Sequence, residues 1–487
     1  VVSTGGSELN NVYDIERVVV TGTGMNLTLT DSVFSATGGT GAGSDATIDA
    51  SGGSGLTLNA TNESDSDLLI IGTGGVDSVT LGGGSDAVSL GGGADYVDAS
   101  SISADNINLG EDNDTVVFNV ALTSADTVDG GDGLIDMLVF TGNATNTGAL
   151  NSVTNVEYIS VTGGDVHLTL TNDMVSSADA QLTIDASSAT SLTLNASVVT
   201  DPTASIFVIG TVHADQVTLG AASDVASLGA DDDYVDASFG GDDSIDLGAG
   251  NNQVDFDDSL TSGDVVIGAS GTDTLTYRDL GTDADELNNV SEMELVSVVG
   301  ADGDIEITLG ADSIFSANAT LDASQSTTAL VLDANVDADN MYIAATSVSG
   351  GDSVTLGGGA DTLIADAGDD YVDASFGGDD SISLGDGNDT VSVGATSNLT
   401  VDDVISGGAG TDAVIVSDAT INATVKANLA KALTGFEIVD TSSATLATID
   451  FNALADYDTV RVSAAQAAAY NGTQSKAGAK SIAATME

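Results

Sequence analysis

Asp232-Asp233-Tyr234-Val235-Asp236-Ala237-Ser238-Phe239-Gly240-Gly241-Asp242-Asp243-Ser244-Ile245 recurs unchanged as Asp369 to Ile382. Its central hexapeptide, Asp233 to Ser238, appears a third time as Asp95 to Ser100. The copies begin at Asp95, Asp233 and Asp370, so the chain is a tandem array with a period near 137 residues. Repetition at a fixed period is the mark of a stacked architecture.

Working outward, a second half-repeat lies between these blocks. Val12 to Gly22, Val153 to Gly163 and Val290 to Gly300 correspond, and a weaker fourth copy starts near Phe436. Ile48-Asp49-Ala50-Ser51, Ile184-Asp185-Ala186-Ser187 and Leu321-Asp322-Ala323-Ser324 also correspond. These are short β-branched runs of period two, bounded by Gly, Asn, Asp and Ser, which read as strands and turns. Helical periodicity is weak except over 422–433, with Val425, Leu429 and Leu433 on one face, and over 463–470.

Inside each Gly/Asp block an aspartate recurs at spacings of 9, 9, 10 and 9. Block one gives Asp77, Asp86, Asp95, Asp105 and Asp114. Block two gives Asp215, Asp224, Asp233, Asp243 and then Asn252; block three gives Asp352, Asp361, Asp370, Asp380 and Asp389. A further turn closes each block at Asp136, Asp273 and Asp412. Two residues after each aspartate stands an apolar residue, such as Val79 or Val97, and glycines precede it, as in Gly82-Gly83-Gly84-Ser85-Asp86. Six residues make a turn and three a short strand, so two nonapeptides complete a coil. Glycine frees the turn to take positive φ. Stacked turns then gather carboxylate and carbonyl oxygens, a hard donor set suited to Ca²⁺. The extra residue before Asp105, Asp243 and Asp380 predicts a local bulge at the same place in each module.

These nonapeptides resemble the RTX (repeats-in-toxin) calcium-binding repeat, which implies parallel β-rolls. The expected fold is all-β: calcium-binding β-roll or solenoid blocks alternating with short-strand β segments, with a minor helix near the C-terminus. The blocks are 71–140, 209–276 and 348–415. The strand half-repeats are 1–70, 141–208 and 277–347, and a divergent fourth half-repeat with the C-terminal segment fills 416–487. The seventeen aspartates named above are the expected ligands, for on the order of ten to twenty Ca²⁺ ions. Turns at 213–215, 103–105 and 251–252 lack the full pattern and are expected to be empty or cap-like. Asp49, Asp185 and Asp322 are read as turn residues, with calcium binding the less favoured role. Tyr96, Tyr234 and Tyr371 are expected to cover neighbouring surface. Asn-x-Ser/Thr triplets such as those at Asn26, Asn59, Asn195 and Asn318 are too common in a Ser/Thr-rich chain to imply glycosylation.

Composition narrows the function. Among 487 residues, 75 are acidic and 7 basic, for a net charge of −68. No Lys or Arg occurs between Arg17 and Arg278, which excludes nucleic acid as a target, because a phosphate backbone needs basic contacts. Hydrophobic residues at 41% supply core material that a disordered acidic tail lacks. Absence of cysteine excludes disulfide scaffolds and thiol nucleophiles. No apolar run approaches the roughly 20 residues that span a bilayer. With only His167 and His213, neither in a catalytic pattern, the chain is not expected to be an enzyme. It begins at Val1 and reads as a piece of a longer protein.

The strand half-repeats joined to the nonapeptides look like the RTX-type S-layer proteins of Gram-negative bacteria. That resemblance implies secretion, calcium-driven folding at the cell surface, and self-assembly into a lattice or filament, with cell-surface polysaccharide reached through an anchor not seen here. An adhesin stalk, and less so the RTX part of a secreted enzyme, are the alternatives. Five of the seven basic residues, Lys426, Lys431, Arg461, Lys476 and Lys480, lie in the last segment, which is expected to meet the acidic flank of a neighbouring copy.

Overall fold

The computed structural model describes residues 9, 15–31, 33, 46–101, 103–119, 122–146, 149–178, 181–279, 285–300, 303–309, 318–346, 350–418, 420–442, 448–449, 453–463, 466–467 and 481–485. It divides into two compact units, Val1–Gly250 and Asn251–Glu487.

In the first unit short strands stack in parallel, each pairing with the strand one coil away. Ser78–Thr80 pairs with Tyr96–Asp98, which pairs with Thr115–Phe118. The intervening strands form the opposite layer, where Leu68–Ile71 pairs with Ala87–Gly92 and that with Asn106–Glu111. Residues 18 apart therefore stack, as two nonapeptides per coil require. The strand half-repeats are coils of the same kind. One in-register column runs Leu58, Val79, Val97, Val116, Leu138, Ile159, Ile184, Val208, Ala226 and Ile245, through both kinds of repeat. All of these residues are buried. The expected all-β array is observed, and in this unit the solenoid blocks and the short-strand segments join in one uninterrupted parallel stack.

The second unit repeats the plan. Val254, Leu275, Val296, Leu321, Ile343, Leu363, Ile382 and Ile405 form a column of the same kind. The opposite layer carries Leu332, Val354, Val372, Val391, Val414 and Val439. The strands Ser353–Thr355, Tyr371–Asp373, Ser381–Gly387 and Thr390–Ser392 are three to seven residues long and bury alternate positions over their apolar part. Fully burying one such aliphatic side chain is worth about 1.5–3 kcal/mol, so the narrow core is built from many small equal contributions.

Two expectations need correction. The extra residue before Asp105 leaves no bulge in the ladder, because Ala87 to Gly92 pairs with Asn106 to Glu111 without a shift. Likewise Thr362 to Ile364 pairs in register with Ser381 to Ser383. The extra residue sits in the turn, where Gly240 and Gly241, and Gly377 and Gly378, take positive φ and absorb it. A short helix, Asn172–Ser177, was also not expected; Thr171 caps it by accepting the N–H of Met174, and Met174 and Val175 are buried.

The helix expected over 422–433 forms as Ala423–Ala432, with the Asn422 side chain accepting from the N–H groups of Thr424 and Val425. Val425 and Leu429 are buried as anticipated, whereas Leu433 already begins a strand. Lys426 pairs with Asp456 of its own chain at 2.7 Å. Most of 463–470, and Lys476 and Lys480, lie outside the described residues.

Candidate metal centre

The repeat aspartate occupies the first inward position of an alternating strand, ahead of the apolar residues two and four places on. Asp95, Val97 and Ala99 all face inward, and Asp95 is 3% exposed. A carboxylate there must be hydrogen-bonded or neutralised, because burying a charge alone is costly.

One oxygen of each meets that need in the same way. Asp95 Oδ1 accepts the N–H of Asp77 at 2.7 Å, and Asp114 Oδ1 accepts that of Asp95 at 2.6 Å. Asp136 Oδ1 then accepts the N–H of Asp114 at 2.8 Å. The opposite edge of the coil carries a parallel row, in which Asp105 accepts from Asp86 and Asp126 from Asp105. In the second block Asp233 accepts from Asp215 and Asp243 from Asp224. In the third, Asp352, Asp370, Asp389 and Asp412 form one row, and Asp361, Asp380 and Asp403 the other. The two rows per block follow the predicted spacing, and Asn252 continues one of them by donating its N–H to Asp273.

The second oxygen divides the aspartates into two kinds. At the start of one row in each block it is occupied. Thr73 donates its N–H and hydroxyl to Asp77, while Leu56 N–H reaches the same carboxylate. Thr211 serves Asp215 and Thr346 serves Asp352 in the same manner. At the far ends of the other rows Thr123 caps Asp126, Thr261 caps Asp264, and Thr400 N–H caps Asp403. Within the rows, Oδ2 of Asp86, Asp95, Asp114, Asp370 and Asp389 is buried with no hydrogen-bond partner, and so are those of Asp273 and Asp412 in the closing turns. Asp224 differs, since Gly220 N–H reaches its Oδ2 at 2.9 Å. Asp105 accepts from the Ser103 hydroxyl, in one of the turns expected to be cap-like.

Burial and neighbouring carboxylates act together on these groups. Burial first, then facing carboxylates, push Asp86 to about 8 and Asp95, Asp114, Asp370 and Asp380 to about 7. The same burial carries Asp224 and Asp361 to about 6. Raised values in a run of buried acids mark a place where ionisation needs a counter-charge.

The donor set fits calcium. Orphaned carboxylate oxygens stand beside turns whose carbonyls crowd the glycines. Gly84, at φ +92°, leaves its Cα against the Ser66 carbonyl with no room for a Cβ. Asp112 and Asp231, two residues before Asp114 and Asp233, take φ +76° without being glycine. These oxygens are hard ligands, and nitrogen and sulfur donors are absent from the rows. When bound, the ion would supply the positive charge that the ionised rows lack.

The sequence pattern overlooked three glutamates and three aspartates. Each closing aspartate donates its N–H to a glutamate of the next half-repeat: Asp136 to Glu157 at 2.8 Å, Asp273 to Glu294 at 2.7 Å, and Asp412 to Glu437 at 2.9 Å. The signal was present in the aligned Val156-Glu157-Tyr158, Met293-Glu294-Leu295 and Phe436-Glu437-Ile438. Asp126, Asp264 and Asp403 escape the ninefold spacing but keep the apolar residue two places on, at Val128, Val266 and Ile405.

Other candidates resolve as local structure. Asp49, Asp185 and Asp322 each accept the N–H of the serine two residues on, at 2.9–3.1 Å, which makes them turn residues. His167 and His213 are exposed. Tyr96 and Tyr371 are each 39% exposed on the outer strand face. No described helix is long and apolar enough to cross a membrane.

Compared with known families, the chain matches the RTX calcium-binding nonapeptide repeat (4 copies) at residues 69–100, 209–242, 347–379, 377–399 and 402–417. These stretches contain most of the two-row aspartates. No curated protein matches the chain.

Proposed function

From a chain that carries RTX repeats, which bind Ca²⁺, we propose a secreted structural protein, ordered by calcium, that assembles with its own copies into a cell-surface layer or filament. The observation that carries this reading is the run of buried, partnerless Oδ2 atoms in the repeat rows of a chain with net charge −68. In this reading the ligands are Asp86, Asp95, Asp105, Asp114, Asp136, Asp233, Asp243, Asp273, Asp361, Asp370, Asp380, Asp389 and Asp412, with backbone carbonyls of adjacent turns, while Asp224 holds the Gly220 N–H. Asp77, Asp215 and Asp352 start the rows and hold threonine instead. About ten to twenty ions per chain follow from the number of turns that offer oxygen ligands.

Self-assembly is favoured by the repetition itself. Three modules present the same outer faces at a fixed period, and a parallel stack leaves unpaired strand edges at its ends. The basic residues concentrated after residue 425 oppose the acidic body of another copy, although Lys426 is already engaged by Asp456. Negative-stain microscopy of the purified protein tests the proposal. Calcium should produce ordered sheets or fibres, and chelator should dissolve them. Dispersed single particles at every calcium concentration would refute assembly and leave an isolated stalk as the better account.

A further inference from the structure

At the entrance to the first block, the loop Asn62-Glu63-Ser64-Asp65-Ser66-Asp67 leads from the strand Ser54–Asn62 to Leu68–Ile71. It belongs to the strand half-repeat and precedes the first stretch matching the nonapeptide family. Glu63 is 1% exposed, an unusual place for a glutamate. Its Oε1 accepts the N–H groups of Ser66 at 2.9 Å and Asp65 at 3.3 Å, while its Oε2 is buried without a partner. Asp31, Glu63 and Asp65 each offer a carboxylate oxygen within 4.8 Å of the others. Asp31 is positioned there by accepting the Ser64 N–H at 2.8 Å. Asp86 borders the same loop, taking the Leu68 N–H on Oδ1 and leaving Oδ2 buried and partnerless. No described ion pair reaches any of these four carboxylates.

The other modules supply a comparison inside the same chain. Glu63, Val199 and Asp337 are structural equivalents. Each donates its N–H to an alanine carbonyl three residues back, Ala60, Ala196 and Ala334, and accepts an N–H from the following turn. Where Val199 replaces the acid, the next aspartate, Asp224, has its Oδ2 filled by the Gly220 N–H. Where Glu63 stands, Asp86 Oδ2 has no such donor. In the third module the acid Asp337 stands at this place and the Gly357 N–H still reaches Asp361, so of the three facing aspartates it is Asp86, beside the longer Glu63, whose Oδ2 is left without a donor.

We propose that Glu63, Asp86, Asp31 and Asp65 form a divalent cation site for calcium at the entrance to the first block, with only Asp86 drawn from the nonapeptide repeats, and that the second module lacks it. Four carboxylates with no cation nearby demand a doubly charged partner, and an all-oxygen donor set selects Ca²⁺ over softer metals. This rests on the calcium reading of the repeats only in sharing Asp86 with them. In module three, Asp337 with its own buried, partnerless Oδ2 is a reduced version.

The test counts bound calcium per chain by native mass spectrometry on the whole protein, with circular dichroism as the fold control. Glu63→Val copies the second module, and Glu63→Gln keeps the shape. Each should bind one calcium fewer than the parent and retain the parent's β signal in calcium. Val199→Ala should leave the count unchanged. A nonzero count identical in the parent and both Glu63 variants overturns the site while leaving the repeats as calcium binders. Absence of calcium from every form overturns both. If Glu63→Val fails to fold, the count for Glu63→Gln and for the exposed Asp65→Asn decides.

Discussion

At Asp95 one carboxylate oxygen holds the N–H of Asp77 and the other meets no donor. Asp77 itself has both oxygens filled, by Leu56 and Thr73. The same residue type therefore plays two parts, and substitutions should separate them. Asp95→Asn keeps the carbonyl that accepts from Asp77 and removes a buried charge. It should raise stability in chelator at neutral pH and reduce the calcium count. Asp77→Asn instead turns an amide donor toward the donors of Thr73. It should cost about 1–3 kcal/mol with the calcium count unchanged, as read from unfolding midpoints and ion counts together. The pH response follows from the raised values. In chelator, a folded pKa of about 7 or 8 against an ordinary 3.8 means the fold favours the protonated acid. That stability is fully present below about pH 4 and is lost progressively as pH rises from there through the folded values to about 8. Thermal unfolding in chelator should show the midpoint falling from pH about 4 to about 8 and levelling off above that. Saturating calcium should abolish the fall, because it binds the ionised form. The residue identities of the rows were legible from spacing alone. The division into filled and orphaned oxygens was not, because it depends on threonines at different separations: four residues before Asp77, six before Asp352 and three before Asp126.

At the scale of elements, one row of each block ends on a glutamate supplied by the next half-repeat. Glu437 accepts the N–H of Asp412, which is otherwise without an acceptor at the close of the third block. Glu437→Ala should cost about 1–3 kcal/mol and Glu437→Gln much less, since its amide oxygen still accepts; chemical denaturation of the two variants distinguishes the cases. The helix Ala423–Ala432 depends on its cap, so Asn422→Ala should cost about 1 kcal/mol. Strand positions were readable because period two places Asp, then two apolar residues, on the inner side. The continuity between half-repeats was not readable. The linking coils are of unequal length and lack the nonapeptide spacing, yet Leu138 stacks on Ile159 as Val97 does on Val116. The anticipated bulge failed for a related reason. A turn containing Gly240 and Gly241 absorbs an extra residue at less cost than a ladder does.

Across the whole molecule, charge opposes compaction. Seventy-five acids against seven bases leave a self-repulsion that the few described ion pairs barely touch. The apolar columns favour the stacked coils, and the ionised rows oppose them. Ligand binding to the folded form alone shifts that balance in proportion to the logarithm of its concentration. Composition made the conflict visible before any coordinates. The arrangement of the orphaned oxygens along the coils locates it. Calcium-dependent order is therefore the central claim, and small-angle scattering with circular dichroism on one sample tests it most directly. At pH about 7.5, where the rows are largely driven to ionise, adding chelator should expand the chain and abolish most of the β signal, and restoring calcium should recover both. A chain that stays compact with an unchanged β signal after complete calcium removal would contradict it.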